Sequence, residues 1–136
     1  MPIAAKQLDS SHQLIIPLAI NAQVDVDTFT AIGGDEFDPS SIPSDGRTIQ
    51  FVARLYVTDV SIDGYVRLYN LTDGAAVSGT ELIGSSLAPE RQEVTLAVPA
   101  DLPNSEKTYE VQLRMGTADG TNSVFCQKAE FRITWT

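Results

Sequence analysis

The sequence holds one cysteine, one histidine and one tryptophan in 136 residues, and its nine lysines and arginines face eighteen aspartates and glutamates. Each scarcity removes a class of function. The lone Cys126 excludes an intrachain disulfide and any thiolate cluster with zinc spacing, and the chain suits a reducing compartment or a particle assembled inside one. The lone His12 denies the histidine cluster that a metal-dependent enzyme on a small β-fold needs. No two basic residues are adjacent along the chain. Phosphate recognition relies on several cations gathered on one face, so with a formal charge of −9 no nucleic-acid partner is expected. The same charge favours solubility.

Long apolar runs are missing too. Leu14–Ile20 is interrupted by Pro17 and falls well short of the ~20 residues a membrane span requires. Met1 to Ala5 lacks a basic start, so neither a secretory signal nor a membrane partner is expected. No stretch sustains a period of 3.6 residues, which predicts almost no helix.

What is present is period two. Ile49, Phe51, Ala53, Leu55 and Val57 alternate with Gln50, Val52, Arg54, Tyr56 and Thr58, the pattern of a strand with one face in a core. After the turn at Asp63-Gly64, Val66 and Leu68 alternate with Tyr65, Arg67 and Tyr69. Asp73-Gly74 and Ser78-Gly79 are further turns around a short piece at Ala75–Val77, and Glu81–Ser85 reads as a short strand. Val94, Leu96 and Val98 form one strand face, closed by Pro99 and Pro103, and Tyr109, Val111, Leu113 and Met115 form another. The last strand buries Ala129, Phe131, Ile133 and Trp135, and the opposed phase of Val124 and Cys126 predicts a bulge near Gln127-Lys128.

The first part reads differently, as an N-terminal arm with edge strands over residues 1–36 ahead of a sandwich core over 37–136. Leu14–Ile20 is an expected edge strand, Val24–Ile32 a second strand, and Gly33–Gly46 a long loop with one helical turn after Asp38. About eight short strands separated by turn residues indicate one all-β domain, an antiparallel two-sheet β-sandwich. A jelly roll suits the strand count, with an immunoglobulin-like topology as the alternative.

Chemistry is thinly supplied. His12, between Ser11 and Gln13, reads as a solvated side chain, and Cys126 beside Phe125 as a small buried hydrophobe. Neither has a partner for nucleophilic or acid–base work, so no enzyme and no cofactor is expected. The acids Asp35, Glu36 and Asp38, following Asp25 and Asp27, are the candidate calcium ligands, although the helix–loop–helix calcium pattern is absent. Gly33-Gly34 leads into these acids, which would repel a phosphate. Asn70-Leu71-Thr72 matches a glycosylation sequon that lacks secretory context. Outward Val52, Tyr56, Tyr65 and Tyr69 exceed what a free surface needs. With Arg67 they fit a protein interface, or else Tyr65 and Tyr69 form a sugar-stacking platform.

The run Tyr65-Val66-Arg67-Leu68-Tyr69-Asn70-Leu71-Thr72-Asp73-Gly74, the Pro89 break, Lys107–Arg114 and the ending Ala129–Trp135 resemble small jelly-roll structural proteins of tailed bacteriophages. The resemblance covers roughly residues 37–135 and rests on strands and turns. It implies a virion protein of the capsid decoration or cement type, a homo-oligomer (a trimer) bound to the major capsid protein or to other virion proteins. The expected contact residues are Leu14, Ile15 and Ile16 in the arm, with Tyr56, Tyr65, Arg67 and Tyr69 on the body. The other function in view is a carbohydrate-binding module or receptor-binding tip, with Tyr65 and Tyr69 as the platform and calcium in the acidic loop.

Overall fold

The computed structural model describes residues 12–136. Its elements are β1 (Gln13–Val24), β2 (Thr30–Phe37), a 3-10 turn (Pro39–Ser41), β3 (Thr48–Val57), β4 (Gly64–Asn70), β5 (Ala75–Ala76), β6 (Leu82–Gly84), β7 (Glu90–Leu96), β8 (Lys107–Met115) and β9 (Val124–Thr134). One sheet runs β1-β9-β3-β7 and the other β2-β8-β4-β5, with β6 also paired to β4. Every pairing is antiparallel.

The pairings β1–β9, β2–β8, β3–β7 and β4–β6 are nested. The chain is thus one long hairpin with its tip near β5 and β6, rolled so that successive arms fall in opposite sheets. That is the jelly-roll plan, and it sets the expected sandwich in place of the immunoglobulin-like alternative. The expected turns are made where glycine takes positive φ, at Gly74 (71°), Gly79 (79°) and Gly120 (77°).

The core is where the alternating residues meet. Phe131 lies 4.8 Å from Phe37 and 5.3 Å, edge-on, from Tyr109, ring centre to ring centre. Phe51, Leu55, Leu68, Leu113 and Met115 are fully enclosed around them. The predicted bulge exists: β3 passes from Arg54 opposite Lys128 to Leu55 opposite Cys126, leaving Gln127 as the extra residue.

Three expectations are corrected. The second strand is shifted: the chain bends at 26–28, and β2 then continues through Gly33-Gly34 to Phe37. Gly33 has a packing reason to be glycine, because a Cβ there would stand 2.1 Å from the Leu18 carbonyl oxygen where β1 and β2 cross. The expected loop therefore begins only at Asp38, which caps the short 3-10 turn by accepting from the Ser40 amide at 2.9 Å. Trp135 is half-buried beyond the end of β9 and not a member of the enclosed core. His12 is not freely solvated, since its ring stacks on Trp135 at 5.5 Å with planes 8° apart. From residue 12 onward the expected arm consists of two edge strands that put Leu18, Ala19, Val24 and Phe37 into the core. Residues 1–11 lie outside the described part.

Candidate interaction surfaces

Among the described residues no group of three histidine, cysteine, aspartate or glutamate side chains is placed to hold a metal ion. Asp35 and Glu36 lie on β2, where consecutive residues alternate sides, and Asp38 is occupied in capping, so the structure does not gather the calcium candidates. Cys126 is enclosed, and burial pushes its thiol pKa up to about 12, far from a reactive thiolate. Tyr109 is likewise raised to about 12, first by burial and then by the charge of Asp73. No helix among the described residues is long and apolar enough to cross a membrane.

The side chains left over for recognition stand on the outer faces of the two sheets. On the β2-β8-β4 sheet, strand pairing sets Tyr65 opposite Arg114, Arg67 opposite Gln112 and Tyr69 opposite Glu110. The chain between β1 and β2 drops Phe29 onto this face. The Arg67 guanidinium sits 4.0 Å over the Phe29 ring and 5.5 Å from Tyr69, and Arg114 sits 5.0 Å from Phe29 and 4.3 Å over Tyr65. The result is a ladder of rings and guanidinium planes, Tyr69–Arg67–Phe29–Arg114–Tyr65, each rung held by cation–π attraction. Arg67 Nε also donates to Gln112 Oε1 at 2.7 Å, and Gln112 Nε2 donates to Glu110 Oε2 at 2.7 Å. Arg114 donates to the Met115 carbonyl at 3.1 Å. Within the described residues neither arginine has a carboxylate within 4.0 Å.

The outer face of the β1-β9-β3-β7 sheet is built otherwise. Tyr56 and Phe125 stack on each other at 4.7 Å with planes 4° apart, bordering a depression lined by Asn21, Ala22, Cys126 and Gln127. One position along, Arg91 on β7, Arg54 on β3 and Lys128 on β9 stand directly opposite one another. The next row across the same strands is Glu93, Val52 and Glu130. Val52 faces outward as the alternation requires, but at 1% exposure it is not part of a free surface. Ion pairs run along the strands: Arg91 with Glu93 at 2.8 Å, and Glu130 with Lys128 at 3.8 Å and Arg132 at 3.9 Å.

The expected contact residues are therefore split. Tyr65, Arg67 and Tyr69 share one face and Tyr56 lies on the other. Of the arm residues, Leu14 and Ile16 stand opposite the core residues Ile133 and Phe131 on the inner side of β1, where Ile16 is half-buried but Leu14 is as exposed, at 38%, as the outward Ile15. Ile20, exposed by 70%, is the larger outward hydrophobe of β1. Phe29, Arg114 and Phe125 were missed from the sequence as surface residues. Arg114 shared a visible phase with Gln112 and Glu110, whereas Phe29 reaches its face only through the bend before β2.

No family model matches the chain, and no curated protein matches it in sequence. Solved structures do resemble it. A chain of the infectious bursal disease virus Gx strain aligns with a TM-score of 0.59 at 11% identity, over 90% of this chain and 32% of the viral one. A chain of the T13 particle of the same virus aligns at TM-score 0.57 and 10% identity, over 90% of this chain and 30% of that one. The insecticidal delta-endotoxin Cry8Ea1 of Bacillus thuringiensis aligns at TM-score 0.52 and 12% identity, over 82% of this chain and 19% of the toxin. The chain spans about a third of the length of the viral chains it resembles. At these identities the likeness is one of fold, a jelly-roll-like sandwich.

Proposed function

We propose that this chain is a structural protein of a virus particle, of the capsid decoration or cement type seen in tailed bacteriophages, acting by protein–protein contact and without catalysis. The observation that carries the reading is the ladder Tyr69–Arg67–Phe29–Arg114–Tyr65. It is a preassembled, half-buried patch of tyrosine, phenylalanine and arginine, the residue types that concentrate binding energy at interfaces. The fold shared with virus-particle chains supports the setting. So does the treatment of the sheet edges. Pro17 and a register shift interrupt β1, charged Glu90, Arg91 and Glu93 line β7, and Asp35 and Glu36 line β2, all of which discourage strand addition and leave the faces for docking.

In this role the protein binds across neighbouring subunits of the major capsid protein and stabilises the shell by mass action on the assembled state. A cyclic trimer meets the symmetry of such a lattice with closed contacts. The Arg114 guanidinium, 4.3 Å over the Tyr65 ring, competes with a sugar for that ring face, which favours the interface reading over the sugar platform. The test is cosedimentation of the purified chain with empty shells of the virus that encodes it, with light scattering for its mass. Saturable binding at a fixed ratio to shell subunits is expected. A monomer that stays in the supernatant at every concentration overturns the reading.

A further inference from the structure

The row Arg91–Arg54–Lys128 is hard to understand as fold alone. Like charges directly opposite one another across strands destabilise a sheet, and here three stand side by side on one outer face. Arg91 and Lys128 are each partnered by a glutamate on their own strand, but Arg54, exposed in the middle, makes no ion pair or side-chain hydrogen bond among the described residues. Arg132 lies on the same face of β9, so four of the chain's nine basic residues gather on a single sheet of a molecule with a net charge of −9.

We infer that this row is a binding site for an acidic stretch of a partner polypeptide. The charges are complementary: a carboxylate-bearing strand laid across β7, β3 and β9 would relieve the repulsion at Arg54, whose guanidinium offers a two-pronged donor edge to a carboxylate. The stacked Tyr56–Phe125 pair and the exposed Ile20 flank the row with apolar surface that suits a polypeptide. A nucleic acid fits less well. Glu93 and Glu130 border the row on the side away from the aromatics, and the negative field of the whole molecule opposes a polyphosphate. The inference goes beyond the particle reading and stands whether or not the chain belongs to a virion.

The test is a titration of the full chain with a short poly-L-glutamate, followed by backbone amide shifts at low and at high salt. Saturable shifts confined to the outer positions of β7, β3 and β9 are expected, with affinity lowered about tenfold by Arg54→Gln, largely kept by Arg54→Lys, and lowered by added salt. Arg91→Gln is the second variant and weakens binding in the same direction. Absence of shifts, shifts elsewhere, or an unaffected Arg54→Gln protein overturns the site. A DNA oligonucleotide of matched charge that binds as tightly at the same residues assigns the row to phosphates and overturns the choice of partner. Self-association without peptide that Arg54→Gln abolishes gives the row to a second copy of the chain and overturns it equally.

Discussion

The two outer faces of this sandwich use arginine in opposite ways. On the β2-β8-β4 sheet, Arg67 and Arg114 sit over aromatic rings and are held by hydrogen bonds. Their charge is spread over aromatic faces, and they act as planar contact surface. On the β1-β9-β3-β7 sheet, Arg54 has cations to either side and no ion pair or side-chain hydrogen bond among the described residues. The residue type is the same; the neighbours supplied by strand register differ. One face is assembled in advance and contributes to the fold, whereas the other stores an unfavourable arrangement that a ligand would relieve.

Both faces hang on one core, so the largest expected effect strikes them together. Phe131→Ala removes the ring that joins Phe37 to Tyr109 and should cost about 3–5 kcal/mol, read as a collapse of the denaturant midpoint. Gly33→Val places atoms on the Leu18 carbonyl and should cost about 1–3 kcal/mol, read as a lowered Tm with the β3–β9 pairing retained by hydrogen exchange.

The comparison itself is sharpened by one substitution made on each face. Arg67→Gln should destabilise by about 0.5–1 kcal/mol through lost cation–π contact, while Arg54→Gln should stabilise by a few tenths, roughly 0.2–0.5 kcal/mol, at low salt. Paired urea titrations decide this, and equal signs would break the contrast.

The smallest effects are in pH. Asp119 accepts from the Thr121 and Asn122 amides and from Asn122 Nδ2, which hold its carboxyl down at about 2, and Ser61 lowers Asp59 in the same loop pair. These groups favour the folded loop above the ordinary value of 3.8, and that contribution fades as pH falls toward 2. Amide exchange at 119–123 should rise over that window before global unfolding. At the other extreme, Tyr109 and Cys126 are raised to about 12 from 10.0 and 9.0, so stability should decline as pH climbs from about 9 toward 12.

Much of the fold was legible because alternation is a local signal. The strands from Ile49 onward, the turns at Asp73-Gly74 and Ser78-Gly79, and the bulge at Gln127 all follow from residue order. The misplacement of β2 arose because two glycines read as loop, when the smallness of Gly33 serves the close approach to Leu18 on β1 and that of Gly34 the approach to the Tyr109 carbonyl on β8. Trp135 kept phase with the core but lies past the end of β9, where it stacks on His12, donates its backbone N–H to the His12 carbonyl and packs against the rim of the core. Sites were less legible. Arg54, Arg91 and Lys128 are isolated in sequence and become neighbours through register, which no composition reveals. The outward tyrosines were visible, but which sheet each one decorates was not.

The central claim is that the ladder face carries the contact to the particle. Hydroxyl-radical footprinting of the chain free and bound to shells tests it most directly. Phe29, Tyr65 and Tyr69 are expected to lose reactivity on binding. If those rings are modified as fast in the bound state as in the free one, the contact lies elsewhere and the claim is contradicted.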